Sequence, residues 1–280
     1  MKKILLVISA AIAGFLCCGT ATAQNASFPV IRQNGKIAIV AHRGFWNSEQ
    51  AGFSENSIAS LKAAQDAGLW GSECDIHLTA DGKVIVNHNP DVDGMKIAEH
   101  TFAELSACRL PNGETRPSFE EYVAQAKKCK NTMLIVEVKI QPTKEAEDKL
   151  VEKAVQILKD GGMFSPKRVL FISFSDNVCD NIAAKYPKFI NQYLTSDKKT
   201  DKSPAQYAKR KINGIDYQYK LFKKHPGWVK DAKALGMSVN VWTVNEKDDI
   251  QEMIGLGVDA ITTNEPLLVR ELLSDKEFRK

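Results

Sequence analysis

A closed (β/α)8 barrel is the fold class this sequence predicts, and three observations predict it. After Lys36 there are eight short runs rich in β-branched residues, segments of helical period separate them, and polar side chains gather at the ends of most runs. The whole pattern fills roughly 240 residues, the size of one such barrel. A doubly wound sheet remains the architectural alternative.

The chain opens on Lys2 and Lys3, an apolar run from Ile4 to Cys18, and the small-x-small pattern Ala21-Thr22-Ala23. Residues 1–23 therefore read as a signal peptide and 24–280 as one domain, exported to the periplasm or secreted. The run is too short for a membrane span, which needs about 20 apolar residues, so the mature product is expected to be soluble. A lipid anchor on Cys17 or Cys18 is the competing reading, opposed by the bulky Phe15 and Leu16 before them.

Composition is globular, at 44% hydrophobic and 26% charged, which excludes a disordered chain. The formal charge of +4 becomes +2 without Lys2 and Lys3, so no broad basic surface for nucleic acid is expected.

The strand candidates are KIAIVA (36–41), SECDIHL (72–78), MLIVEVK (133–139), RVLFISF (168–174), FINQYL (189–194), GIDYQ (214–218), SVNVWTV (238–244) and DAITT (259–263). FINQYL and GIDYQ are the weakest of these. Between them lie amphipathic segments such as ENSIASLKAAQDAG, SFEEYVAQAKKCK and KEAEDKLVEKAVQILKDGG, several closing on glycine as helix stops. After the second strand a turn at Asp81-Gly82 sends the chain back through KVIVNH, a hairpin insertion that returns His88 toward the strand end.

Function in a barrel belongs at the carboxyl ends of the strands. There the sequence places His42-Arg43, then Glu73 with Asp75, then Glu137 with Lys139, then Ser173 and Ser175, Trp242, and Thr263-Asn264. Period-two alternation puts Glu73 and Asp75 on one face, and Glu137 and Lys139 on one face. Carboxylates this close repel each other and resist burial, so a positive partner is required between them. Glu73, Asp75 and Glu137 form a hard-oxygen set suited to one divalent cation, Ca²⁺ or Mg²⁺. The alternative is an inert network with Arg43 and Lys139. His77 shares the face of Glu73 and Asp75 and is a weaker ligand candidate, whereas His100 and His225 read as surface residues. NPDVDGMKIAEH (89–100) begins like a calcium loop, but Lys96 stands at its eighth position and His100 falls where a bidentate glutamate is required, so it reads as a turn-rich loop.

Four cysteines follow the leader: Cys74, Cys108, Cys129 and Cys179. Cys74 reads as a buried free thiol, and Cys108 with Cys129 is the pair favoured for a disulfide.

The segments AHRG (41–44), SENS (54–57), ECDIHLTADG (73–82), VNH (86–88), PSFEEYV (117–123), VEVK (136–139), FISFS (171–175) and VWTVN with LGVDAITTNEP (241–266), taken in order, resemble glycerophosphodiester phosphodiesterases. That resemblance implies a barrel of the phospholipase-C-like phosphodiesterase type, and metal-dependent hydrolysis of small glycerophosphodiesters to glycerol 3-phosphate and an alcohol. It implies His42 and His88 as general acid and base, and Glu73, Asp75 and Glu137 as metal ligands. It also implies Arg43 and Lys139 as phosphate-holding groups, Trp242 as a pocket wall, and Glu55 with Asn56 as orienting residues for Arg43 or His42. Three positions depart from the family pattern. Asn89 replaces an aspartate after His88, Asn264 replaces one after Thr263, and Ser54 replaces a proline, where it can instead cap a helix. Two other function classes stay open: a non-catalytic barrel that binds phosphate head groups, and a glycosidase using Glu73 with Glu137.

Overall fold

Alternation along each strand builds the barrel, because every second side chain points to the lumen while its neighbours meet the helices. The structure, a computed structural model, describes residues 32–33, 36–196 and 202–274. The expected leader, with Cys17 and Cys18, lies outside the described residues. The eight strands are β1 (Lys36–Ala41), β2 (Gly71–Leu78), β3 (Met133–Val138), β4 (Val169–Ser173), β5 (Asn191–Thr195), β6 (Gly214–Gln218), β7 (Ser238–Trp242) and β8 (Ala260–Thr263). Each pairs parallel with the next, and β1 pairs with both β8 and β2, which closes the ring. Closure rules out the doubly wound sheet. The two weak candidates form strands because the register carries them: Leu194 lies opposite Asp216, and Asp216 opposite Asn240.

Outward side chains such as Cys74, Ile76, Leu134 and Val136 pack with Phe119 and Tyr122 of the helix Phe119–Lys127. On the other side of the ring Ile215, Tyr217, Val239 and Val241 pack with Phe222 and Ile250. Inward side chains make a separate apolar cluster of Ala38, Val40, Ile135, Leu170, Ile172, Leu194 and Ala260, so the lumen is filled rather than open. Above this layer the inward positions turn polar. The site therefore rests on a packed floor.

Helix starts follow their caps. Ser57, not Ser54, caps the helix Ile58–Asp66, and it does so in a reciprocal box with Ser60. Ser57 immediately precedes the first helical residue, while the Ser54 hydroxyl donates to the Gly52 carbonyl and accepts from the Asn112 amide. The hairpin after β2 is present: Val84–Val86 runs antiparallel to it, with Ile76 opposite Val86. Residues 89–100 form a second small hairpin, Asp91–Val92 with Met95–Lys96, turned by left-handed Asp93 and Gly94. Among the described residues no helix is long and apolar enough to cross a membrane.

All four described cysteines are free, so the expected bond between Cys108 and Cys129 does not form. Cys108 packs beside the cluster of Ile85, Val92, Ile97 and Leu105, while Cys129 lies just beyond the helix Phe119–Lys127 with its sulfur 3.6 Å from the Thr132 hydroxyl. Different packing environments hold the two thiols. Cys74 is buried, as its alternation requires.

Arg43 and Gly44 follow β1 with φ of 55° and 80°, and a Cβ on Gly44 would collide with the side chain and backbone of Ser60. Gly44→Ala is therefore expected to destabilise the fold by about 1–3 kcal/mol, read as a lower midpoint of thermal unfolding than wild type. An unchanged midpoint contradicts the close packing of this turn.

Candidate active site

Three inward positions at the mouth of the barrel hold carboxylates. Glu73, Asp75 and Glu137 are 2%, 1% and 8% exposed, and Asp75 lies directly opposite Glu137 across the β2–β3 pairing. One oxygen from each falls within 4.8 Å of the others. The alternation of ECDIH thus delivers what its spacing predicts, two acids on the lumen face with Cys74 on the other.

Two cations oppose the acids. Lys139 Nζ lies 3.2 Å from Asp75 Oδ1 and 2.9 Å from Glu137 Oε1. Arg43 donates its backbone N–H to Glu73 Oε2 at 2.7 Å, pairs through Nη1 with Glu55 at 2.7 Å, and holds Nε 3.9 Å from Asp75 Oδ2. Arg43 makes both sets of contacts from a left-handed backbone, with φ of 55°.

Glu55 and Asn56 divide the orienting task. Glu55 fixes the guanidinium, while Asn56 binds Asp75 on both sides: its Nδ2 donates to Asp75 Oδ2 at 2.8 Å and its Oδ1 accepts from the Asp75 amide at 3.2 Å. The amide of Asn56 also donates to the Arg43 carbonyl at 2.9 Å. This turn ties the loop after β1 to the acids on β2.

The acids divide unequally. Burial pushes Asp75 up, but Lys139, His88, Asn56 and Arg43 outweigh it and hold the carboxyl down to about 2. Burial first, then Asp75, raises Glu137 to about 7, and burial with Asp75 and Glu137 raises Glu73 well above the usual range. Glu73 Oε1 is buried with no hydrogen-bond partner, a deficit of about 1–3 kcal/mol for an ordinary polar atom. The charge network is thus incomplete on the protein's own groups. An orphaned carboxylate oxygen among three converging acids fits a divalent cation, and the oxygen-only donor set favours a hard ion.

The imidazoles come from two different segments, the end of β1 and the hairpin after β2. His42 follows β1, and its Nδ1 lies 2.8 Å from Asn264 Oδ1. Trp46 Nε1 donates to the same oxygen at 3.1 Å. An indole N–H can only donate, so the shared atom is the amide oxygen and His42 Nδ1 must carry its proton. The lone pair is left on Nε2. Burial, and then Arg43, lower His42 to about 4, so the ring is neutral near pH 7. His88 leaves the hairpin with Nδ1 2.9 Å from Asn89 Oδ1, and burial lowers it below its ordinary value. Where the sequence shows a missing carboxylate after His88, an amide still positions the ring.

His77 is not a member of the acidic cluster. Its Nε2 lies 3.3 Å from the His88 carbonyl and its Nδ1 3.5 Å from Gln141 Nε2, so it supports the segment bearing His88. His225 stacks on Trp228 at 4.2 Å, and His100 bonds the Lys96 carbonyl; neither lines the cavity.

A cavity of about 150 Å³ is lined by His42, Arg43, Glu73, His88 and Glu137 on its polar side. Its apolar wall includes Trp242 and Phe174, whose rings meet edge to face at 5.5 Å. Trp242 is fixed by its N–H bond to the Asp216 carbonyl, 2.9 Å. Asp216 also lines the cavity, although no reading of the strand ends singles it out. Its signal is present in GIDYQ, where an aspartate alternates with Ile215 and Tyr217 and so must face the lumen.

A sequence model of the glycerophosphoryl diester phosphodiesterase family matches residues 42–268. A glycerophosphodiester phosphodiesterase of Caldanaerobacter subterraneus subsp. tengcongensis is 26% identical, over 82% of this chain and 95% of that protein. Among solved structures, a glycerophosphodiester phosphodiesterase from Parabacteroides distasonis superposes with a TM-score of 0.80 and 40% identity, covering 85% of this chain and 96% of that one. An Oleispira antarctica phosphodiesterase in complex with the product sn-glycerol-3-phosphate shares the fold, with a TM-score of 0.73 and 23% identity over 85% of this chain and 97% of that one.

The raised acids make cation binding proton-linked. Without a cation, folded Glu73 and Glu137 keep protons that the unfolded chain releases near its ordinary pKa of about 4.3. Their contribution to stability is whole below that pH and is lost as pH rises through the folded value, about 7 for Glu137. A cation must displace these protons, so the rise in unfolding temperature caused by saturating Ca²⁺ or Mg²⁺ is expected to be larger at about pH 8 than at about pH 5. Equal rises at both pH values would contradict cation binding at these acids.

Proposed function

Because this chain belongs to the glycerophosphoryl diester phosphodiesterase family, we propose that it hydrolyses small glycerophosphodiesters to glycerol 3-phosphate and an alcohol, with proton transfer by His42 and His88. The observation that carries this reading is one cavity lined by His42, His88, Arg43, Glu73 and Glu137, with Asp75 and Lys139 joined to its acids. Glu73, Asp75 and Glu137 would hold the divalent cation. When bound, it supplies positive charge that offsets the negative charge growing on the phosphoryl oxygens.

Arg43 and Lys139 bind and orient the phosphate from fixed positions, since each is already held by a carboxylate and little reorganisation is needed on substrate entry. His42, neutral with its lone pair on Nε2, takes the proton of the attacking oxygen. His88 donates a proton to the leaving alcohol. Each transfer of this kind typically contributes about 10²-fold to 10⁴-fold. Trp242 and Phe174 close one side of the cavity and exclude water from it. The reading includes export, on the strength of the leader-like pattern in residues 1–23.

A glycosidase built on Glu73 and Glu137 leaves Arg43, Lys139 and both imidazoles without a task, and a head-group-binding barrel leaves the fixed tautomer of His42 without one. Release of glycerol 3-phosphate from a panel of glycerophosphodiesters, with each metal ion and with a chelator, separates the three. The expected result is cation-dependent release, lowered about 10²-fold or more by His42→Ala and by Glu137→Gln. No release from any member by the metal-supplied protein refutes the hydrolase, and release that survives chelation refutes the metal site.

A further inference from the structure

Asp216 has a carboxyl group that the chemistry above does not use. It sits on β6, is 1% exposed, and lines the cavity from the side facing away from β2 and β3. Its oxygens are not equivalent. The backbone N–H of Val241 donates to one amide atom of Asn240 at 2.9 Å, so that atom is the oxygen and the other is the NH₂ group. That NH₂ donates to Asp216 Oδ2 at 2.9 Å and lies 3.0 Å from the Thr262 hydroxyl. Asp216 Oδ2 is thereby satisfied. Oδ1 is buried with no partner in the protein.

No lysine or arginine is paired with Asp216 among the described residues, which sets it apart from Asp75 and Glu137. Burial pushes its carboxyl well above the usual range and so favours its neutral form. With Oδ2 occupied as an acceptor, the proton of that neutral form belongs on Oδ1. The group is then a neutral hydrogen-bonding arm beside a phosphate site, able to meet a hydroxyl without repelling a phosphate.

We propose that Asp216 Oδ1 binds a hydroxyl of the glycerol moiety, making Asp216 a specificity-determining residue that selects polyol phosphates over plain alkyl phosphates. This deepens the phosphodiesterase reading and rests on it for the choice of glycerol. Asn240 and Thr262 position the carboxyl, and Trp242, anchored on the Asp216 carbonyl, couples the apolar wall to the same strand.

The test is calorimetric binding of sn-glycerol 3-phosphate and of propyl phosphate to the protein with saturating divalent cation. Wild type is expected to prefer glycerol 3-phosphate by about tenfold or more, the scale of one buried hydrogen bond to a hydroxyl. Asp216→Ala is expected to abolish that preference. Asp216→Asn places an N–H where the carboxyl proton stands, because its oxygen must still face Asn240, and should keep most of the preference. Equal affinity of wild type for the two ligands overturns the inference whether or not the variants fold, as does an unaltered preference in Asp216→Ala. If wild type shows the preference but releases no glycerol 3-phosphate from any diester, the hydrolase reading fails while the polyol site stands.

Discussion

Like-charge repulsion among Glu73, Asp75 and Glu137 is the constraint to which the rest of the site is arranged. Three carboxyl groups in a dry barrel mouth cannot all ionise unaided. Lys139 bridges two of them, Arg43 meets the third through its backbone, and Asn56 supplies both halves of its amide to Asp75. One oxygen of Glu73 is still left over. Burial and the charge of Asp75 raise Glu73 and Glu137, while Lys139 and its neighbours keep Asp75 ionised, so a cation binding among them must displace protons.

The imidazoles show a second economy. Both are held at Nδ1 by asparagine oxygens, Asn264 for His42 and Asn89 for His88, where the family pattern has aspartates. An amide fixes ring direction and tautomer without adding a negative charge to a mouth already crowded with them. It also gives up the stabilisation that a carboxylate would offer to an imidazolium, consistent with the lowered values of both rings. Trp46 makes the arrangement at Asn264 unambiguous, since its indole accepts no hydrogen bond.

The floor beneath these groups is ordinary packing. Inward Val40, Ile135, Leu170, Ile172 and Leu194 fill the lumen, so the polar side chains rest on a packed floor. A Cβ added at Gly71 would collide with Ile135 and crowd Val40, which shows how little space remains there. Stability and function therefore occupy different layers of the same strands.

Much of this was legible in the chain. Alternation in ECDIH, VEVK and the run ending in His42 fixed which side chains face inward, because a strand reverses direction at every residue regardless of its partners. Turn and cap chemistry foretold the hairpin and the helix starts, although Ser57 rather than Ser54 took the cap because it stands next to the first helical residue. The ordered motifs identified the family. What the sequence by itself determined was thus the set of strands, the inward residues and the chemical types at their ends. Tertiary structure alone decided the partners. Ring closure brought Asn264, just after β8, to His42, just after β1, set Asp216 beside Asn240, kept Cys108 and Cys129 apart and turned His77 to support rather than ligation. Such choices depend on distances between residues far apart along the chain, which local periodicity does not encode.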